Sequence, residues 1–269
     1  MKLTQVTDLE TPELQIYRTL RDNQTTKDNS FIADSPKVVN MLLQTPIKVK
    51  SILATEAYYA ANSALLESRD IPVLYVAPRA VIETIIGHRI HHNVMMHGIR
   101  PPQSRLEELG DQIIMLDELS KTDNVGAIAR SAAALGIHSF VAPSIGPHPY
   151  GRRALRVSMG HISKLNLHTY DNIETTLRRF KERGYRIFAA EVTADSTPLS
   201  SLKVEGKWVL LMGHEQKGIS SDILKLCDET VMIEMEPEIK SFNVAIAASI
   251  LMYQLKLLRF KGTSKLIYN

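Results

Sequence analysis

Three short stretches of this chain place asparagine, glycine, serine and charged residues together where a plain structural segment needs none of them. The first is Lys121-Thr-Asp-Asn124-Val-Gly126-Ala-Ile-Ala-Arg130. Asn124 suits a helix start, Gly126 lets another backbone come close, and Arg130 follows less than two turns up the helix. The second is Gly213-His-Glu215-Gln-Lys-Gly218, directly after an apolar run. Gly213 permits a close ligand approach that a side chain would block. The third is Ser241-Phe242-Asn243, opening the last helical pattern. The exposed amides of a helix start suit a polar ligand. Taken singly, each stretch is equally ordinary architecture: a capped helix with a surface arginine, a glycine turn, a helix cap. The glycine spacing is neither G-x-G-x-x-G nor a P-loop, which weighs against a nicotinamide dehydrogenase and an NTPase.

The elements that must position these stretches read as α/β, because apolar β-rich runs alternate with helical patterns. In the first part, residues 31–34, 49–55 and 71–77 read as strands, and 37–44, 56–68 and 80–88 as helices. Gly98 and Pro101-Pro102 in HHNVMMHGIRPPQ mark a break, which puts a domain boundary near residue 105. The expected domains are therefore 1–105 and 106–269. In the second, QIIMLDEL, HSFVAP, YRIFAAEV, WVLLMG and TVMIEM read as strands. NVGAIARSAAALG, NIETTLRRFKERG, SSDILKLC and SFNVAIAASILMYQLKLLRF read as helices. Asn124 is the expected N-cap of the first of these helices and Gly136 its stop. About five or six parallel strands with helical crossovers is the natural arrangement. Ligands of such sheets bind outside the carboxyl ends of the strands, where all three stretches fall.

Composition sets few further limits. The net charge is +3 over 269 residues, so a basic patch could serve nucleic acid but the total does not demand one. Aromatic residues are 6%, too few for an aromatic base-stacking platform. A single cysteine, Cys227, excludes an internal disulfide, suits a cytoplasmic setting and reads as a small buried apolar residue. The first residues lack the apolar core of a signal peptide, and no apolar run reaches membrane-spanning length. His88, His91, His92 and His97 have spacings compatible with metal, but no cysteine and few carboxylates lie nearby, so no metal is expected. Arg178, Arg179, Lys181 and Arg183 read as a solvated helix face. Arg152, Arg153 and Arg156 read as a phosphate-contacting patch.

The order and spacing of the three stretches carry more than any one of them. Asn124-Val-Gly126-Ala-Ile-Ala-Arg130 matches an N-x-G-A-x-x-R pattern, and Gly213-His-Glu215-Gln-Lys-Gly218 matches G-x-E-x-x-G. Ile233-Glu-Met235 and Ser241-Phe-Asn243-Val-Ala-Ile-Ala match I-P-M and S-L-N-V-S-x-A. Over residues 112–258 the chain thus resembles the SpoU (TrmH-like) RNA methyltransferases of the SPOUT superfamily. Arg156-Val-Ser158-Met-Gly160 resembles that family's R-x-S-x-G element. The chain departs from the pattern where Glu234 replaces proline, Phe242 leucine and Ala245 serine, and where Lys121-Thr122-Asp123 replaces the frequent Asp-Pro-x before Asn124. More faintly, Phe31-Ile-Ala-Asp34-Ser35 resembles the F-x-x-E-G start of a small RNA-binding α/β domain often placed ahead of such enzymes.

The resemblance implies a deep trefoil knot in the last third of the chain and a homodimer with the C-terminal helix in its interface. It implies S-adenosylmethionine as cofactor, bound by Thr193, Gly213, Ile233, Ser241, Phe242 and Asn243. The reaction would be methyl transfer to a ribose 2′-hydroxyl of tRNA or rRNA, with Arg130, Asn124, Glu215 and Asn243 as the catalytic set. Arg130 would sit at the hydroxyl, as base or as stabiliser of the alkoxide. Asn124 would hold Arg130 or the ribose, and Glu215 would pair with an arginine of its own chain or of the other subunit. RNA would contact Arg152, Arg153, Arg156 and Ser158, with residues 1–105 selecting it. Two other classes stay open: an RNA-binding protein without catalysis, which intact Asn124 and Arg130 disfavour, and an unrelated α/β enzyme on a nucleotide cofactor, which the missing phosphate loops disfavour.

Overall fold

The structure, a computed structural model, describes residues 2–19, 26 and 28–261. It divides into two compact units. One comprises residues 1–102 with 149–163, the other 103–148 with 164–269. In chain order the elements are β1 Thr4–Gln5, α1 Pro12–Thr19, β2 Ser30–Asp34, α2 Pro36–Leu43, β3 Lys48–Ala54, α3 Glu56–Ala61, α4 Ser63–Glu67, β4 Val73–Val76, α5 Arg79–Ile86 and β5 Val94–Ile99. There follow β6 Gln112–Leu116, α6 Thr122–Ala134, β7 Ser139–Pro143, α7 Arg152–Val157, β8 Asn166–Tyr170, α8 Ile173–Glu182, β9 Tyr185–Ala190, β10 Thr197–Pro198, β11 Lys207–Met212, α9 Ser221–Leu224, β12 Glu229–Met232 and α10 Val244–Lys261.

The first unit holds a five-stranded mixed sheet in the order β1-β4-β3-β5-β2, with β5 antiparallel to both its neighbours. Gly98 thus lies inside a strand, while the first unit's leading stretch ends at Pro102. Phe31 faces Gly98 across the ladder, and a β carbon on Gly98 would lie 2.6 Å from the Phe31 ring. The glycine marks a close approach inside a strand, which sequence alone does not distinguish from a turn. Residues 149–163, expected with the second domain, pack in this unit instead. The Arg152 guanidinium donates to the Asp34 carboxylate at 2.7 Å, Tyr150 packs edge-on against Phe31, and Gly160 lies against Met41.

The second unit holds a seven-stranded sheet, every pair parallel, in the order β10-β12-β9-β11-β6-β7-β8. The parallel reading is correct. Strands β8 and β10 go beyond it: NLHTY at 166–170 alternates polar residues, and Thr197–Pro198 is too short to show a period. One sheet face packs Ile113, Met115, Ile187, Val209 and Leu211 against Leu177 and Phe180 of α8. The intervening Ile114, Phe140, Phe188 and Leu210 are fully buried too, as expected of a parallel sheet covered on both faces. Helix α10 buries Ala245, Ala248, Leu251, Met252 and Leu255, a helical period, and the Ser249 hydroxyl donates to that of Ser131 on α6 at 2.8 Å. Helix α6 begins at Thr122, so Asn124 lies inside its first turn and is not the N-cap. Gly136, at φ 69°, follows its last turn as expected. No helix among the described residues is long and apolar enough to cross a membrane.

Ser35 occupies φ 80°, ψ 139°, a region that suits glycine, while its hydroxyl accepts only a long 3.4 Å bond from the Val38 amide. Replacing a serine cap by glycine costs a few tenths of a kcal/mol, less than the ~1 kcal/mol or more of backbone strain relieved. Ser35→Gly is expected to raise Tm by about 2–3 °C in a thermal melt, and a fall would show that the cap outweighs the strain.

Candidate functional site

The carboxyl ends of β9, β11 and β12 lie side by side, because β9 pairs with both of the others. Together with the start of α10 they enclose an open cavity of ≈ 230 Å³. Gly213, Ile233, Ser241 and Phe242 line it, as does Glu215. Met212, Val231, Val244 and Leu251 add apolar wall beside the polar His214 and Gln216. Phe242 remains 40% exposed, a ring available to a flat partner. The sequence thus singled out Gly213, Glu215, Ile233, Ser241 and Phe242, and missed Glu191, the first residue beyond β9, which also lines the cavity. No motif flags Glu191, since only the sheet order brings it beside Gly213.

Two of the expected cofactor residues do not line the cavity. Thr193 is tied into its own loop, its amide donating to the Ser196 hydroxyl at 2.8 Å. Asn243 instead caps α10, its side-chain oxygen accepting from the Ala245 amide at 2.9 Å.

Gly213 is small for a reason other than ligand access. A β carbon there would lie 2.8 Å from the Gly218 carbonyl carbon and 2.9 Å from the Ile219 nitrogen. The 214–218 turn closes on itself through paired backbone bonds between His214 and Gly218, at 3.2 and 2.9 Å, and presses against Gly213. The His214 ring nitrogen Nδ1 accepts from the Gln216 amide at 3.0 Å, tightening the same turn.

From that turn Glu215 reaches the start of α6. Its Oε2 accepts from the Ser120 amide and hydroxyl, both at 2.9 Å, and its Oε1 from the Lys121 amide at 3.1 Å and the Asn124 side-chain amide at 2.8 Å. Partial burial opposes the charge, but the bonds from Ser120 and Asn124 outweigh it and hold the carboxyl down at about 2. The Asn124 oxygen accepts in turn from the Asn243 side chain at 3.2 Å. Three residues more than a hundred positions apart at the extremes thus form one hydrogen-bonded row. Within this chain Asn124, 6% exposed, holds Glu215 and Asn243, and Glu215 is taken up by the Ser120, Lys121 and Asn124 donors. Arg130 lies exposed on α6.

A second carboxylate, Asp117, follows β6. Burial pushes it up to about 6, with Glu118 reinforcing and His214 opposing. Burial also pushes the half-buried Cys227 thiol up to about 12, so it is no thiolate. Arg179 and Lys181 pair with Glu107 and Asp228 at 2.8 and 3.0 Å, in keeping with a solvated face. In the first unit, Arg152, Arg153 and Arg156 line a polar cavity with Arg18, Arg89 and His88. Ser158 does not join them: it is fully buried and its hydroxyl donates to the Leu155 carbonyl. His97 bonds to the Ser30 hydroxyl at 2.8 Å. No group of three potential metal ligands occurs among the described residues.

A fold of this kind, with a cavity at the strand ends and a polar row beside it, defines a ligand-binding α/β domain of the doubly covered parallel type. The sequence profile of the SpoU rRNA Methylase family matches residues 111–253, so the chain belongs to that family and is an RNA methyltransferase. An uncharacterized tRNA/rRNA methyltransferase from Mycobacterium avium (strain 104) is 28% identical over 214 residues, 76% of this chain and 68% of that protein. The AdoMet-bound rRNA methyltransferase from Sinorhizobium meliloti shares the fold at TM-score 0.80 and 24% identity, covering 95% of this chain and 98% of that one. An RNA 2′-O ribose methyltransferase shares it at TM-score 0.76 and 21% identity, covering 96% and 100%.

Asn124→Asp would set a second carboxylate against Glu215, remove its donor and repel its charge. In the wild type the contribution of Glu215 is full above its ordinary value of 4.5 and is lost as pH falls toward about 2. The variant is expected to lose about 2 kcal/mol or more at pH 7 in urea unfolding, and the loss should shrink toward pH 4 as one of the two carboxylates takes up a proton. Unchanged urea midpoints at pH 7 and pH 4 would refute the role given to this row.

Proposed function

We propose that this chain transfers a methyl group from S-adenosylmethionine to a ribose 2′-hydroxyl of tRNA or rRNA. The observation that carries the reading is the cavity at the ends of β9, β11 and β12, whose apolar walls and Phe242 ring suit an adenine and whose strand-end backbone suits its polar edge. The AdoMet-bound state of the Sinorhizobium protein and the fold shared with the 2′-O ribose enzyme support it. Gly213, Ile233, Ser241 and Phe242 would hold the cofactor. Asn243 would act by fixing the start of α10, and Thr193 only through its loop.

A sulfonium is a good leaving group, so the protein's work is to align the hydroxyl and manage its proton. Arg130 would fill that role, because a guanidinium stays charged at neutral pH and can stabilise the oxygen as negative charge develops. Asn124, Glu215 and Asn243 would hold α6 and α10 in register with the cavity. The same reading includes a knotted C-terminal region, a cytoplasmic setting and a homodimer. On α10, Ile246 and Tyr253, seven residues apart, expose 53% and 56% of their surface, a stripe suited to a second copy. Residues 1–105 would select the RNA and 106–269 methylate it, with Arg152, Arg153 and Arg156 meeting phosphate. Ser158, being buried, is left out of that contact.

Single-turnover methylation of transcribed tRNA and rRNA, with mapping of 2′-O-methyl sites, tests the reading. Arg130→Ala is expected to slow turnover about 100-fold or more while leaving cofactor affinity nearly unchanged. Arg130→Lys should also be badly impaired, because the planar fork is lost. The exposed Arg178→Ala is the control and should retain the wild-type rate. A near-wild-type rate for Arg130→Ala would remove Arg130 from the chemistry.

A further inference from the structure

We propose that the Glu191 carboxylate binds the ribose of the adenosyl group, accepting hydrogen bonds from its vicinal hydroxyls; this rests on the S-adenosylmethionine reading above. Glu191 follows β9, the strand flanked by β11 and β12, so it stands at the centre of the three strand ends that form the cavity. Its position is fixed by backbone. Oε2 accepts from the Ile219 amide at 2.9 Å and Oε1 from the Val192 amide at 3.0 Å. The Gly218 α carbon presses so closely that a β carbon there would lie 2.1 Å from Oε2.

An ionised carboxylate offers about four acceptor sites, so these two bonds leave one on each oxygen. The other carboxylate lining the cavity and the His214 ring are committed elsewhere. Glu215 accepts from Ser120, Lys121 and Asn124, and the His214 Nδ1 accepts from the Gln216 amide. Among the described residues lining the cavity, Glu191 is therefore the anchored carboxylate with acceptor capacity left. Of the groups an adenosyl ligand presents, the vicinal diol supplies two donors at a spacing that one carboxylate can meet. A strand-end carboxylate on ribose hydroxyls is an arrangement that other open parallel sheets use for dinucleotides. Thr193, bound to Ser196, is then not needed there.

The test is titration calorimetry of the full chain with S-adenosylhomocysteine and with its 2′-deoxy and 3′-deoxy analogues. Wild type and Glu191→Gln are compared, with thermal melts to verify folding. Glutamine keeps the shape and one acceptor oxygen, so the 213–219 turn can still form. Wild type is expected to bind the deoxy analogues about 10-fold or more weakly than the parent, and Glu191→Gln to bind the parent about 10-fold or more weakly than wild type does. In Glu191→Gln the discrimination against the deoxy analogues should shrink to about 3-fold or less, since the partner of the hydroxyls is altered. Discrimination equal in both proteins would overturn the inference and leave Glu191 a support of the turn, with the cofactor reading intact. A folded wild type that binds neither S-adenosylhomocysteine nor S-adenosylmethionine would overturn the cofactor reading, and the inference with it.

Discussion

A carboxylate on a short turn, surrounded by donors from a distant helix start, organises this site. Glu215 leaves the end of β11 and takes up the Ser120, Lys121 and Asn124 groups that open α6. Asn124 passes the connection to Asn243, which caps α10. Without that charge the part-buried Asn124 side-chain amide would lack its partner, and such a donor is costly to leave unsatisfied. The cavity walls come from the same pieces, so its shape depends on a row of polar contacts as much as on apolar packing.

The glycines of this region answer to the same constraint. Gly213 must be bare because the 214–218 turn folds back onto it, and Gly218 because the Glu191 carboxylate lies against it. Gly213 reads in sequence as room for a ligand. In the structure that room is used first by the chain itself, and the turn so compacted aims Glu215 at α6 and leaves Glu191 facing the cavity. A larger residue at Gly213 would therefore act through the turn before it met any ligand.

Sequence made the parallel sheet legible because its strands are continuous apolar runs, such as WVLLMG and YRIFAA, and the helices between them are strongly periodic. Motif order brought Gly213, Ile233, Ser241 and Phe242 to one cavity. Three things were not legible. β5 looked like a break because Gly98 stands just ahead of Pro101-Pro102, whereas the reason for the glycine is Phe31 across the ladder. Asn124 looked like a cap because its type suits one, but its side chain is taken by partners ninety or more residues away. Glu191 carried no signal at all, since its neighbours are set by the strand order β12-β9-β11 and not by chain proximity.

The first unit is discontinuous in the chain, with residues 149–163 packed among residues of the first hundred. During synthesis its five strands are available once Ile99 has emerged, but Asp34 then has neither of its arginine partners, Arg152 or Arg156. A buried carboxylate must wait for them while β6 and β7, strands of the other unit, are being made. The first unit is therefore completed only after part of the second has been made, and the second closes later still, because it needs α10.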